Sequence, residues 1–187
     1  MYKRDVKLIQ EHVLNTGSQG IVDVFGTAIA TIRTSFKDMV SLSNDIRINK
    51  HTSKALWGHK QDSYSEVVSR KEELYDLFES GASTRMILNT VLSIKGLGLA
   101  KASFGLQMLG YNLACLDTHN LQRLGYSSAY FNRKNKTSEY VSVVQEKGAE
   151  YWWDTWCELI PNTPKNRKHF TTADEVSYEH VKAVKGY

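Results

Sequence analysis

Cysteine and proline are the scarcest informative residues in this chain, with two of each in 187 residues. Cys115 and Cys157 are too few for a four-cysteine zinc or iron–sulfur site and do not make a disulfide framework, so reduced thiols and no metal centre are expected. So few prolines favour helices over a turn-rich sheet protein. Long apolar runs are also missing: Leu113–Leu116 and Trp152–Trp153 fall far short of the roughly 20 residues that cross a bilayer. The segment from Met1 to Glu11 carries Lys3, Arg4, Asp5 and Lys7 and no apolar stretch, which excludes a secretory signal there. A soluble, intracellular, monomeric protein without a membrane partner is the expectation. Strong charge of one sign is absent as well. The net charge of +4, from 24 basic and 20 acidic residues, permits a polyanionic partner without requiring one.

What is present reads as helix. With 41% hydrophobic and 24% charged residues, the chain has an ordinary globular composition and the length for one core, so a single domain over 1–187 is expected. Between residues 21 and 40, Val22, Phe25, Ile29, Ile32, Phe36 and Met39 or Val40 recur every three or four positions, predicting one helix. The polar stretch Asn44–Lys60 predicts a connecting loop with only short structure. Ser63 and Glu66 have capping-box spacing and open a second helix that closes near Gly81. Ser83 or Thr84 caps a third, with Ile87, Val91 and Ile94 on one side, and Leu99, Ala102, Leu106 and Leu109 continue to a stop at Gly110. Asp117 caps a short helix closed by Gly125, and a stripe from Val141 to Leu159 predicts one long helix over 138–160. No segment alternates like a strand, so the fold class is all-α.

The segment Leu92-Ser-Ile-Lys-Gly-Leu-Gly-Leu-Ala-Lys-Ala102 joins two of these helices through Gly96-Leu97-Gly98. Two glycines one residue apart allow a tight reversal and a close approach to a ligand. Leu97, with Ile94 and Ala102, packs the two helices together. The open amides of the turn and of the second helix's N-terminus suit a phosphate oxygen. Contacts of this kind position a duplex without reading its sequence. An ordinary sharp turn would use the same tripeptide.

Leu92-x-Ile94-x-Gly96-x-Gly98-x-x-x-Ala102, followed by Cys115-Leu116-Asp117-Thr118-His119, resembles the helix-hairpin-helix DNA glycosylases of the endonuclease III superfamily. The resemblance spans about residues 86–125. It implies a helical glycosylase-like fold in which N- and C-terminal helices pack around residues 87–125. It also implies a double-stranded DNA partner, and Asp117 as the carboxylate that assists chemistry at a nucleotide's glycosidic carbon. DNA contacts are then expected at Lys95, Gly96, Leu97, Gly98, Leu99 and Lys101, with a basic run at Arg133, Lys134 and Lys136 and another at Lys165, Arg167 and Lys168. One of Trp152, Trp153 and Trp156, or Tyr151, offers a flat surface for an extruded base, with His119 beside the aspartate.

The chain also departs from this family. Its bifunctional members carry a catalytic lysine where Ala100 stands here, and Lys101, about 100° further round a helix, is expected to face another way. A one-residue shift would bring Lys101 back as a catalytic amine. The iron–sulfur cluster of many relatives has no ligands here, and no cofactor is expected. Two enzymatic readings follow from the resemblance. One is a monofunctional DNA glycosylase that releases a damaged or modified base without strand cleavage. The other is a glycosylase-fold transferase, of the kind associated with phage DNA hypermodification in infected cells, that replaces an activated 5-hydroxymethyl substituent of thymidine with an amine or amino acid. A third reading is a non-catalytic DNA-binding module in which Asp117 only caps its helix.

Overall fold

A computed structural model describes residues 1–132 and 134–186, with the side chain of Lys134 left out. Its helices are α1 (Tyr2–Thr16), α2 (Ser18–Ala30), α3 (Met39–Asn49), α4 (His59–Ser69), α5 (Lys71–Glu79), α6 (Thr84–Leu92), α7 (Leu99–Met108), α8 (Thr118–Arg123), α9 (Thr137–Lys147), α10 (Ala149–Leu159) and α11 (Ala173–Lys185). Among the described residues there is no strand, so the chain is all-α. Among the described residues, no helix is long and apolar enough to cross a membrane.

The centre of the molecule is α2, in which every residue from Gly20 to Ala30 is buried. A helix apolar on all sides must be enclosed by others, and α1, α3, α4, α5, α7 and α11 surround this one. Close packing against α7 depends on Gly105, because a Cβ there would stand 2.5 to 2.7 Å from the Phe25 ring. A second, smaller cluster of Ala114, Leu116, Leu121, Phe131, Tyr140, Val144 and Trp152 is built from residues 114–152.

Four expected elements are corrected. The run 21–40 is two helices, because the Thr31 and Thr34 hydroxyls turn back onto the Ala28 and Ala30 carbonyls (2.7 and 2.8 Å) and end α2 there. Arg33 then takes a positive φ of 55°, a conformation few non-glycine residues adopt. The polar stretch 44–60 is more helical than expected: α3 runs to Asn49, a 3-10 turn covers Lys50–Thr52 and α4 begins at His59, leaving 53–58 as the connection, and Lys60 is buried. Ser63 and Glu66 do not cap a helix start. They sit inside α4 and clasp the α6–α7 turn, with the Ser63 hydroxyl donating to the Lys95 carbonyl (2.7 Å) and Glu66 Oε2 accepting from the Lys95 amide (2.9 Å). The helix they were expected to start is two, broken at Arg70. The run 138–160 is also two helices, divided at Gly148, whose φ of 83° no helix can carry.

Other signals stand in the structure as read. Ser83 accepts from the Met86 amide as the N-cap of α6, and Gly81, Gly110 and Gly125 all take positive φ just past helix ends.

Candidate functional site

The turn between α6 and α7 comprises Ser93–Gly98. Its two glycines differ physically. Gly96 has φ 84°, and a Cβ on it would run into the Ser63 hydroxyl and lie 3.3 Å from the His59 ring. Gly98 has φ −83°, open to any residue, and a Cβ there would meet nothing within 4 Å. The second glycine is therefore not demanded by the fold, and its bareness leaves the start of α7 uncovered. Gly96 and Gly98 are exposed and Leu97 is buried against Ile94 and Ala102, so Leu97 can present only its backbone to a ligand. Among the described residues, no acceptor takes the amides of Gly96, Gly98, Leu99 or Ala100. Such amides carry the positive end of the helix dipole. The Lys95 ammonium is tied at the surface to Asp62 (2.8 Å), which lowers the Asp62 pKa and raises its own.

Three residues into α7, Lys101 does not project into solvent beside the turn. It lines a cavity of about 550 Å³ together with Asp117, His119, Trp152, Trp153 and Trp156. Its Nζ donates to Thr31 Oγ1 (2.9 Å) and lies 5.6 Å from the centre of the Phe104 ring. Nearby, the buried Lys60 donates to the Ala30 carbonyl (3.2 Å), so two cations gather at the C-terminus of α2, where its dipole is negative. Burial, and after it the neighbouring Lys101, pushes the Lys60 pKa down.

Asp117 lines the same cavity. One oxygen accepts from the Asn120 amide (2.9 Å) and caps α8, while Oδ2 accepts from Trp156 Nε1 (3.2 Å). The approach to Asp117 is an extended, mostly buried segment, Leu113–Leu116, whose backbone groups need partners. Side chains provide them. Tyr140 donates to the Ala114 carbonyl (2.7 Å) and accepts from the Leu116 amide (2.9 Å). Gln107 accepts from the Cys115 amide (3.3 Å), and Asn120 donates to the Cys115 carbonyl (2.9 Å). Burial pushes the Tyr140 phenol far up, so it keeps the proton this bridge uses. Burial likewise raises the Cys115 thiol to about 11, which removes it as a nucleophile at neutral pH although it lines the cavity.

The remaining walls come from distant parts of the chain. Arg33, Phe36 and Met39 follow α2, Lys165 and Asn166 follow α10, and His180 belongs to α11. Phe36 packs edge-on against Trp156 at 4.7 Å and lies 5.3 Å from His180. Trp153 is fixed by its Nε1 donating to Ser177 Oγ (3.1 Å), and Ser177 in turn donates to the buried Asp5 carboxylate.

The sequence singled out Asp117, Lys101, His119, Trp152 and Trp153, and one cavity holds them all. Tyr151 does not line it. Arg133 and the Lys134 side chain, expected as DNA contacts, lie outside the described residues. In the same basic run, Lys136 is engaged with Glu139 (2.5 Å) and Tyr130 (3.1 Å). Sequence reasoning missed Arg33, Phe36 and His180 as lining, and Tyr140, Gln107 and Asn120 as supports. Trp156, one helical turn from Trp152, is among the tryptophans expected as a stacking surface, and it lines the cavity. Among the described residues no group of His, Cys, Asp and Glu is arranged to hold a metal ion. No protein-family model, no curated protein and no solved structure matches the chain.

Proposed function

We propose that this protein is a DNA-binding enzyme acting on a base swung out of the duplex. The α6–α7 turn grips the sugar-phosphate backbone, and Asp117 assists hydrolysis of the glycosidic bond. The observation that carries this reading is the path of α7. The helix begins at an exposed turn with unpartnered amides, and one turn later delivers Lys101 into an aromatic-walled cavity shared with Asp117. Departure of a base builds positive charge on the sugar, which a fixed carboxylate stabilises while it orients a water for attack. Both Asp117 oxygens are oriented by N–H donors, so the carboxylate is held in place before any substrate arrives. Aromatic faces at Phe36, Trp153 and Trp156 supply the stacking that an extruded base loses when it leaves the duplex.

The test is base release from duplexes carrying single uracil, oxidised, alkylated or hypermodified bases, read as abasic sites after alkali. Asp117→Asn should lower the rate on the accepted duplex by about 10²- to 10³-fold. Asparagine remains a good N-cap, so the melting temperature should stay nearly unchanged. Normal turnover in this variant would remove Asp117 from the mechanism. A retained but heavier thymidine, seen by mass spectrometry of the nucleosides, would instead identify a transfer reaction.

A second form of the reading is favoured by one observation, the Lys101 amine inside the cavity. There the amine attacks the sugar carbon as the base leaves, and ring opening yields an imine. Borohydride distinguishes the two: hydrolysis by water leaves no covalent adduct, whereas the lysine form gives one that Lys101→Ala abolishes.

A further inference from the structure

His180 is 1% exposed, yet it lines the cavity. Its ring is enclosed by Trp153 at 4.2 Å, Phe36 at 5.3 Å, Trp156 at 5.5 Å and Phe104 at 5.7 Å between centroids. Nδ1 stands 3.1 Å from the Ser177 carbonyl, an atom that can only accept, so the ring proton belongs on Nδ1. Burial pushes the imidazole pKa down to about 4, so near neutral pH the ring carries that one proton. Nε2 is then a bare acceptor. Among the described residues nothing donates to it, and it is not one of the unpaired atoms sealed from solvent. The slight exposure of His180 is therefore open to the cavity at an atom that needs a donor.

The position of this acceptor matters. Trp156 bridges the two polar ends of the cavity, with its indole N–H on Asp117 and its ring beside His180. A six-membered ring with its sugar carbon at Asp117, lying along that indole, would span a comparable distance toward the His180 ring. The indole donors of Trp152, Trp153 and Trp156 are already committed to Val144, Ser177 and Asp117. An incoming carbonyl finds no free indole N–H on these walls.

We infer that His180 is a specificity residue, accepting through Nε2 an N–H from the pairing edge of the extruded base. The substrate is then a base whose pairing-edge N–H is intact, modified elsewhere on the ring if at all. Bases alkylated on that edge are excluded twice, by the lost donor and by a methyl group pressed against a buried nitrogen. This inference rests on the base-extrusion reading and narrows its substrate class.

Binding to four duplexes of one sequence tests it: one fully paired, one carrying an abasic analogue opposite adenine, and two carrying thymine or N3-methylthymine opposite an abasic analogue. The unpaired position makes both thymines equally free to leave the stack. The wild-type protein should bind the thymine duplex about 3- to 10-fold more tightly than the N3-methyl duplex. His180→Phe keeps the aromatic enclosure and should abolish the preference, and His180→Gln, which retains an acceptor, should restore part of it. Equal wild-type affinity for the two thymine duplexes overturns the inference even if a variant does not fold. So does an unchanged preference in a folded His180→Phe. If none of the four duplexes is bound at low salt, the DNA reading itself fails, and the inference with it.

Discussion

The two clusters that meet at the cavity are held together by different means. The larger one is built from whole helices packed around α2, where Phe25, Ile29 and their neighbours are buried on every side. Its cohesion is non-directional, spread over many contacts, and tolerant of small adjustments. The smaller one includes Ala114 and Leu116 of the non-helical segment Leu113–Leu116, whose backbone is bonded by the Tyr140, Gln107 and Asn120 side chains because it cannot make these bonds locally. The first arrangement provides a firm aromatic wall. The second fixes one carboxylate in direction, at the cost of depending on a few polar atoms.

The largest expected effect that separates the clusters lies with His180, on the side of the larger one. Its folded pKa of about 4 is below the ordinary imidazole value near 6.5. The unfolded chain therefore takes up a proton that the folded one refuses as pH falls between those values. Stability from this group is complete above about pH 6.5 and is lost on going down to pH 4, by about 3 kcal/mol. Urea unfolding at pH 7 and pH 4 checks this, because His180→Phe should remove that part of the drop. An identical drop in both proteins would assign the acid sensitivity elsewhere.

Next comes the smaller cluster. Tyr140→Phe leaves the Ala114 carbonyl and the Leu116 amide without their shared partner, and should cost about 1–3 kcal/mol. Because the same bridge orients the approach to Asp117, turnover should fall by more than the folded fraction does. Equal losses would mean that the phenol acts on stability alone.

The α6–α7 turn sharpens the contrast with the smallest effects. Gly96→Ala meets both a positive φ and the Ser63 hydroxyl, and should destabilise by about 1–2 kcal/mol. Gly98→Ala meets neither, and its stability should change by about 0.5 kcal/mol or less. Its methyl group would nevertheless stand before the open amides, so DNA affinity should drop in a variant that folds normally. Unaltered binding by Gly98→Ala would detach the turn from the nucleic acid.

How much of this was legible follows the range of the interactions. Caps and stops are local, so Ser83, Asp117, Gly110 and Gly125 could be read directly from the chain. The breaks at Thr31–Ser35, Arg70 and Gly148 were not, because apolar spacing continues across a short interruption when both helices face one core. The polar stretch before His59 concealed parts of two helices for the opposite reason: few of its side chains are buried. Within the site, Asp117 and Lys101 lie close in sequence to the glycines that announced them. Phe36 and His180 share the cavity from distant parts of the chain: Phe36 read only as part of a core stripe, and His180 carried no pattern of its own. Lys101 was expected to point elsewhere. The true start of α7 at Leu99, with Gly98 as its N-cap, sets the rotation that brings the amine inward.

That rotation also sets a distance. Gly98 caps the helix that carries Lys101, with an axial offset of about 4.5 Å between them. On the proposed function, this fixed offset would register a strand clasped at the turn against the cavity and present the nucleotide at the matching step.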